Sequence, residues 1–112
     1  MSEMLVISYE TQNLRDSCLS LENAESSYGS LQAQELIEIL ADADAVDDAE
    51  EFIELYSGSD CVVVKDSISL KIGSEYSMTL TAIGENMQVT VTGEIVWSSV
   101  TRLKLMMIKK CP

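Results

Sequence analysis

The amino-acid sequence predicts an α+β fold, with helices from the first half of the chain packed on one face of a mainly antiparallel, twisted sheet from the second half. The hydrophobic period changes from about 3.6 residues to about 2 near Gly58. The length of 112 residues is typical of one domain. Residues 1–56 predict a strand and two or three helices, and residues 61–112 predict a strand meander. Helices followed by strands are typical of α+β domains.

The first half of the chain combines one short strand with helical patterns. Residues 4–9 are mostly apolar and predict a strand, and Thr11 is a suitable N-cap for a short helix that ends near Cys18. Asn23 or Ser26 is the expected N-cap of a longer helix. The apolar stripe of that helix recurs at spacings of three and four residues: Ala33, Leu36, Ile37, Leu40 and Ala41.

Another helix and a series of strands complete the prediction. Asp44 or Asp47 is expected to begin the helix, and residues 57–60 predict a turn. Apolar and polar residues then alternate, as in strands with one face on a core. The alternating runs are residues 67–72, 76–82, 89–97 and 102–107.

The charge of the chain is large and unevenly distributed. Nineteen acidic and seven basic residues give a net charge of −12. Residues 1–60 hold 15 acids and one base, and residues 61–112 hold four acids and six bases. The acidic excess disfavours binding to free nucleic acid, which requires clustered Lys and Arg. The chain has no histidine, which excludes Ser/His/Asp triads and the HExxH zinc motif.

The three cysteines predict neither a metal site nor a disulfide framework. Cys18, Cys61 and Cys111 are odd in number and widely separated, whereas zinc sites usually pair cysteines two to four residues apart. We expect three reduced thiols, no metal and no cofactor. The uninterrupted apolar runs reach four residues, far below the roughly 20 of a membrane span. These features predict a cytoplasmic chain that does not bind membranes.

Four segments, in order along the chain, resemble the RelE/HigB-type toxins of toxin–antitoxin systems. "MLVISYETQNLRDSC" is similar to the family's first strand and short helix, and "SYGSLQAQELIEILADADAVDDAEEF" to its long helix and the short acidic helix after it. "DSISLKIGSEYSMTL" is similar to its hairpin, and "GEIVWSSVTRLKLMMI" to its closing strands. The resemblance implies a RelE-like fold and a protein that cleaves messenger RNA on the ribosome.

The chain departs from this family at the residues that its chemistry requires. The family's tyrosine–arginine pair falls on Tyr76 and Ser77, and its basic run keeps one base, Lys65. Where the family commonly ends in an aspartate, an aromatic residue and a histidine, this chain has residues 110–112, Lys-Cys-Pro. RNA cleavage needs groups that activate the 2′-hydroxyl, protonate the leaving oxygen and hold the phosphate. These losses predict a catalytically degenerate member of the family.

If activity survives, the candidate catalytic residues lie in the strand half. Each of them also has a structural interpretation, Tyr76 as a core residue and the bases as solvated groups on the polar side of strands. The candidates are Tyr76, Lys65, Lys71, Arg102 and Lys104.

The acidic helices are the predicted partner-binding surface. Glu35, Glu38 and Asp42 share a helical face by their spacing. A protein with a basic groove would be steered toward them by charge complementarity. The full predicted set is Glu35, Glu38, Asp42, Asp47, Asp48, Glu50, Glu51 and Glu54.

Three functions remain open from the sequence. The first is a degenerate toxin-fold protein that acts by binding a protein, such as a cognate antitoxin or toxin. The second is a ribosome-dependent messenger-RNA interferase, an endoribonuclease with a divergent active site. The third is an acidic immunity or inhibitor protein that covers a basic toxin or imitates nucleic acid. An acidic helical face that serves only solubility is the plain structural interpretation of the same charge pattern.

Overall fold

The computed structural model describes residues 4–56, 61–84 and 87–111. The order of its elements agrees with the predicted change from helices to strands after the first strand. The elements are β1 (Val6–Tyr9), α1 (Gln12–Ser17), α2 (Leu21–Tyr28), α3 (Ser30–Asp44), α4 (Ala49–Leu55), β2 (Cys61–Val64), β3 (Ser67–Ile72), β4 (Tyr76–Ala82), β5 (Gln88–Val89), β6 (Ile95–Val96), a 3-10 turn (Trp97–Ser99) and β7 (Arg102–Lys110).

Five strands form one mixed sheet in the order β1-β7-β4-β3-β2. The pairs β2–β3, β3–β4 and β4–β7 are antiparallel, which agrees with the prediction of a mainly antiparallel sheet. The pair β1–β7 is parallel, with Val6 opposite Arg102 and Tyr9 opposite Leu105. A bulge between Thr79 and Leu80 shifts the register of β4 against β7. The α+β class is therefore confirmed, and the last strand lies inside the sheet, between β1 and β4.

The helices cover one face of this sheet. Alternate side chains of the three inner strands are buried, and the helices contribute the residues that pack over them, among them Leu36, Ile39 and Phe52. This arrangement confirms the prediction that helices pack on one face. The buried strand residues are Ile68, Leu70, Ile72, Met78, Leu80, Ala82, Leu103 and Leu105.

The other face of the sheet has no helix over it among the described elements. Hydroxyl and basic side chains line it, together with the exposed apolar side chains of Val62, Val64 and Met107. Ser69 lies opposite Thr79, and Ser67 opposite Thr81, with the two hydroxyl oxygens of the latter pair 3.3 Å apart. These side chains are half-buried by their neighbours on the sheet. We call this surface the open face; its central residues are Ser67, Ser69, Lys71, Ser77, Thr79 and Thr81.

The predicted single long helix is two helices. Ser20, not Asn23 or Ser26, is the N-cap of α2, and its Oγ accepts a hydrogen bond from the Asn23 backbone at 3.1 Å. Gly29 has a φ of 91°, a conformation that favours glycine, and it ends α2 and begins α3. The prediction of one long helix was wrong because this glycine ends one helix and begins the next.

The apolar stripe of α3 is also shifted from the predicted one. Ala33 and Leu36 are buried and Leu40 is half-buried, as expected, but Ala41 is exposed and Ile39 takes its place in the core. α3 packs against both β1 and β3. Its buried face therefore includes Ile39 and Ala43 and excludes Ala41.

The caps of the shorter helices are partly as predicted. Thr11 is the N-cap of α1, which confirms the prediction, and its Oγ1 accepts a hydrogen bond from Leu14 at 3.1 Å. Asp48, not Asp44 or Asp47, is the N-cap of α4. The turn predicted at residues 57–60 lies outside the described residues.

The predicted strand at residues 89–97 is a small separate hairpin. β5 pairs only with β6 there, as a two-stranded sheet, and Gly93 turns the chain between them with a φ of 88°. The 3-10 turn that follows ties this region to α4, because Val100 accepts a hydrogen bond from the Ala49 backbone at 2.8 Å. Strand β2 was not predicted, since its four uninterrupted apolar residues have no alternation to reveal a strand.

Candidate functional site

The outer side of α3 carries a cluster of three carboxylates around one tyrosine. The Tyr56 hydroxyl donates a hydrogen bond to Asp42 Oδ2 at 2.6 Å. Burial raises the pKa of Tyr56, and the hydrogen bond to Asp42 and the negative charges of Asp42, Glu38 and Glu35 raise it further. All three carboxylates belong to α3 (Ser30–Asp44) at spacings of three and four residues, so they share one helical face.

Glu35 has a structural contact within this cluster. Its Oε2 accepts a hydrogen bond from the backbone N–H of Gly73, in the turn between β3 and β4. One turn of α3 earlier, Gln32 Nε2 donates to Glu75 Oε2 at 3.2 Å. The two side chains attach α3 to the sheet, so Glu35 holds the fold and is less available to a partner than the sequence suggested.

Asp48 and Glu51 are occupied at the N-terminus of α4. Asp48 Oδ1 accepts a hydrogen bond from the Glu51 backbone at 3.0 Å, and Glu51 Oε2 accepts one from the Asp47 backbone at 2.8 Å. This reciprocal arrangement closely resembles a capping box, which satisfies backbone donors that the helix leaves unpaired. Asp48 precedes Glu51 by three residues, which is the spacing of a capping box. Both residues were interpreted only as negative charges, so this signature was missed.

The remaining predicted acids point outward without such contacts. Glu38, Asp47 and Glu54 are exposed, and within the described residues their carboxylates make neither hydrogen bonds nor ion pairs. Glu50 is exposed in the same helix as Glu54. We call the outer side of α3 and α4 the acidic surface; its residues are Glu35, Glu38, Asp42, Asp47, Asp48, Glu50, Glu51 and Glu54.

The candidate catalytic residues do not converge on one cleft. Tyr76 lies opposite Ile72, on the helical side of the sheet, and its ring packs edge-on against Tyr28 with 5.2 Å between ring centroids. Lys71 lies opposite Ser77 on the open face. Lys65 lies between β2 and β3 and has a φ of 55°. The sheet therefore separates Tyr76 from Lys71, and Lys65 lies in a turn at the edge of the sheet.

Arg102 and Lys104 lie on the open face, near β1. Arg102 is opposite Val6, and Lys104 is opposite both Thr81 and Ser8. Lys104 Nζ forms an ion pair with Glu10 Oε2 at 3.2 Å, the one such pair between side chains in the described part of the chain. Its charge is thereby partly neutralised, whereas Arg102 has no such partner there.

The sheet register also creates a basic row that the sequence did not reveal. Lys71, Ser77 and Lys109 lie side by side on three neighbouring strands. The sequence did not reveal that Lys109 lies beside Ser77, because this register depends on the bulge between Thr79 and Leu80. The open face is therefore basic while the acidic surface lies on the opposite side of the sheet.

A groove of about 890 Å³ lies between the β5–β6 hairpin and the end of β2. Its apolar side chains include Trp97, the only tryptophan of the chain. We call it the hairpin groove; it is lined by Val63, Lys65, Asp66, Val89, Thr92, Gly93, Glu94, Ile95 and Trp97.

The thiols and carboxylates form no metal site among the described residues. Cys18, Cys61 and Cys111 are unpaired, and burial raises the pKa of Cys18 to about 11, which keeps this thiol protonated and unreactive. No described group of three or more Cys, Asp or Glu side chains is arranged to bind a metal ion. Within the same residues, every helix is too short or too polar to cross a bilayer.

Comparisons with family models, with curated proteins and with solved structures find no match to this chain.

Proposed function

We propose that this protein acts by binding a basic protein partner through its acidic surface, as a catalytically degenerate relative of the RelE/HigB-type toxins. The observation that carries the proposal is the separation of charge across the sheet. The acidic surface holds eight carboxylates on α3, α4 and the loop between them, and no described base forms an ion pair with them. Such a surface attracts a cationic protein and increases its association rate.

The exposed acids are the ones expected to contact the partner. Glu35, Asp48 and Glu51 already accept backbone hydrogen bonds within the fold. Glu38 and Glu54 make no such contact in the described residues, so a partner's Lys or Arg can approach them without breaking an internal contact. A charge-assisted hydrogen bond formed there is among the stronger polar contacts that a protein interface offers.

The position of Tyr76 supports binding over catalysis. A tyrosine that takes part in RNA cleavage must stand within hydrogen-bond reach of the reacting oxygens. Tyr76 instead packs on Tyr28, across the sheet from Lys71 and Arg102. The chain also has no histidine to serve as acid or base.

An RNA interferase is the second candidate, and the basic open face favours it. Lys71, Lys109 and Arg102 could hold phosphates there, although without an aromatic side chain on which bases stack. An inhibitor that covers a basic toxin is the third candidate, and it would use the same acidic surface as the proposed function. The identity of the partner distinguishes this third function from the first.

The proposed function is tested by binding to the products of the genes that flank its own. We expect one of them, a basic protein, to bind with a dissociation constant that rises at least about tenfold in the double variant Glu38→Lys/Glu54→Lys, because attraction becomes repulsion. The matched control is Glu22→Lys/Glu25→Lys, which makes the same charge change on α2 and should bind within about twofold of the parent. Isothermal titration calorimetry measures both constants.

Two results would contradict the proposal. The first is equal weakening by both double variants, since only the net charge would then matter. The second is rapid translation arrest on induced expression of this protein alone, with cleavage of ribosome-bound messages that Arg102→Ala abolishes. That second result would establish the interferase.

A further inference from the structure

Strand β2 is an unprotected edge of the main sheet. It is the outermost strand of the order β1-β7-β4-β3-β2 and pairs with β3 alone. In any strand, alternate backbone N–H and C=O groups point to either side. The outer groups of Cys61–Val64 therefore lack a strand partner in the described residues.

This edge strand is short, with four residues, but it lacks the other features with which proteins usually protect edge strands. Charged side chains, proline and bulges prevent edge strands from pairing with other chains. β2 has none of these, and its valines are solvent-accessible: Val62 is 57% exposed, Val63 39% and Val64 59%. Its composition of β-branched residues also gives it a high strand propensity.

The hairpin groove lies directly beside this edge. Val63 belongs to both, because it lies in β2 and lines the groove. Val89, Ile95 and Trp97 supply further apolar walls, and Asp66 and Glu94 supply carboxylates. A strand placed next to β2 would direct alternate side chains toward the groove.

We propose that β2 binds an extended segment of a protein partner as a sixth strand of the sheet. The segment is apolar at alternate positions, which fill the hairpin groove, and the Lys or Arg between them give it a positive charge that this negatively charged chain attracts. Main-chain hydrogen bonds supply affinity in this mode of recognition, and the side chains in the groove supply specificity. The inference rests on the proposed function, from which it takes a basic protein as the partner.

Charge complementarity favours a basic segment over a second copy of this chain as the occupant of the β2 edge. Two copies would bring two sets of the groove carboxylates Asp66 and Glu94 to one interface, in molecules that each carry a net charge of −12, and this repulsion opposes pairing of β2 with itself. A basic segment is attracted by the same charge. The one base in the groove, Lys65, is balanced by Asp66 and Glu94.

Trp97 reports directly on occupation of the groove, because it is the only tryptophan. The probe is a synthetic eight-residue peptide of alternating isoleucine and lysine, titrated into the full chain at physiological salt. A control peptide has the same sequence with every backbone nitrogen methylated, so that it keeps its charge and cannot donate strand hydrogen bonds. We expect a saturable change of Trp97 fluorescence with the first peptide and at least about tenfold weaker binding of the second.

Two variants of equal net charge locate the site. Val63→Lys places a charge at the edge and in the groove and should weaken binding at least about tenfold. Val6→Lys makes the same substitution at a valine of β1 that is 52% exposed, on the opposite edge, and should stay within about twofold of the parent. Circular dichroism verifies that both variants fold.

Three outcomes would overturn the inference. They are equal binding of the methylated peptide, equal weakening by both valine variants, and dimers in sedimentation that Val63→Lys dissociates in the absence of peptide. The proposed function is tested independently of this inference. The double variant Glu38→Lys/Glu54→Lys alters the acidic surface and leaves β2 and the hairpin groove intact. Loss of partner binding in that variant with normal peptide binding would separate the two surfaces.

Discussion

At the scale of single residues, the acidic surface illustrates how one residue type takes several roles. Asp42 accepts a hydrogen bond from Tyr56, Glu35 holds the Gly73 turn, and Asp48 caps a helix. Glu38 lies on the same face as Asp42. It makes no hydrogen bond to Tyr56, and its negative charge alone contributes to the raised pKa of Tyr56. The sequence predicted the shared face from spacing alone. It could not distinguish these roles, because they depend on tertiary neighbours.

Tyr56→Phe tests the hydrogen bond at the centre of the acidic surface. The variant removes the 2.6 Å contact with Asp42 and should lower the free energy of unfolding by about 1 kcal/mol at neutral pH. In the parent, the pKa of Tyr56 is raised by burial, then by Asp42, so the folded state keeps a proton that the unfolded state loses above about pH 10. Stability therefore falls as the pH rises through this range.

The pH dependence separates this contact from general loss of packing. Urea unfolding between about pH 8 and 11 should show a shallower decline in Tyr56→Phe than in the parent, because one of the retained protons is gone. Tyr9, Tyr28 and Cys18 also have raised pKa values, each mainly through burial, and maintain part of the decline in both proteins. Identical slopes would mean that Tyr56 titrates alike in the folded and unfolded chains.

At the scale of elements, periodicity predicted the strands better than the helix boundaries. The alternation in β3 and β4 reflects one buried face, and the structure confirms both strands. Cys61–Val64 has no alternation, so its strand was missed. The break at Gly29 was misjudged because a glycine within a helical pattern is compatible with either a weak turn or a helix end. The parallel pairing of β1 with β7 joins distant segments and leaves no local signal.

The cap of α4 allows a test in which charge is held constant. Asp48→Ala and Asp48→Asn remove the same negative charge, but asparagine still accepts the hydrogen bond from the Glu51 backbone. We expect the alanine variant to lose about 1 kcal/mol relative to the asparagine variant, measured by urea unfolding. Equal stabilities would contradict a capping role and indicate that only the charge of Asp48 matters.

At the scale of the whole molecule, charge is sorted by the two sides of the sheet. The helical side carries the acidic surface, and the open face carries Lys71, Arg102, Lys104 and Lys109. The sequence predicted the asymmetry between the halves of the chain, and the fold converts it into an asymmetry between faces. The eight acids of the predicted partner-binding set lie on α3, α4 and the loop between them, and Lys71, Arg102 and Lys104 lie across the sheet from Tyr76; their roles in binding or catalysis stay predictions.

Salt should stabilise this protein. Raising sodium chloride from about 10 mM to about 1 M shortens the Debye length from roughly 30 Å to 3 Å, which screens the mutual repulsion of the carboxylates while sacrificing one exposed ion pair, Lys104–Glu10. We expect the melting temperature to rise by about 5 °C, equivalent to roughly 1 kcal/mol. The rise should shrink in Glu38→Gln/Glu54→Gln; a fall in melting temperature would show that attraction outweighs repulsion.

The position of β7 affects how the protein folds during its synthesis on the ribosome. This strand fills the place between β1 and β4, and Val6 pairs with Arg102, 96 residues further along the chain. At a translation rate of roughly 5–20 residues per second, β7 begins to be synthesised about 5–20 s after β1. In the last part of that interval, after residue 82 has been synthesised, the helices and the β3–β4 hairpin lack the strand that joins them to β1. Until β7 is synthesised, β1 can contact α3, and the Leu5 backbone can donate its hydrogen bond to Val46, but the strand hydrogen bonds that β7 supplies are absent.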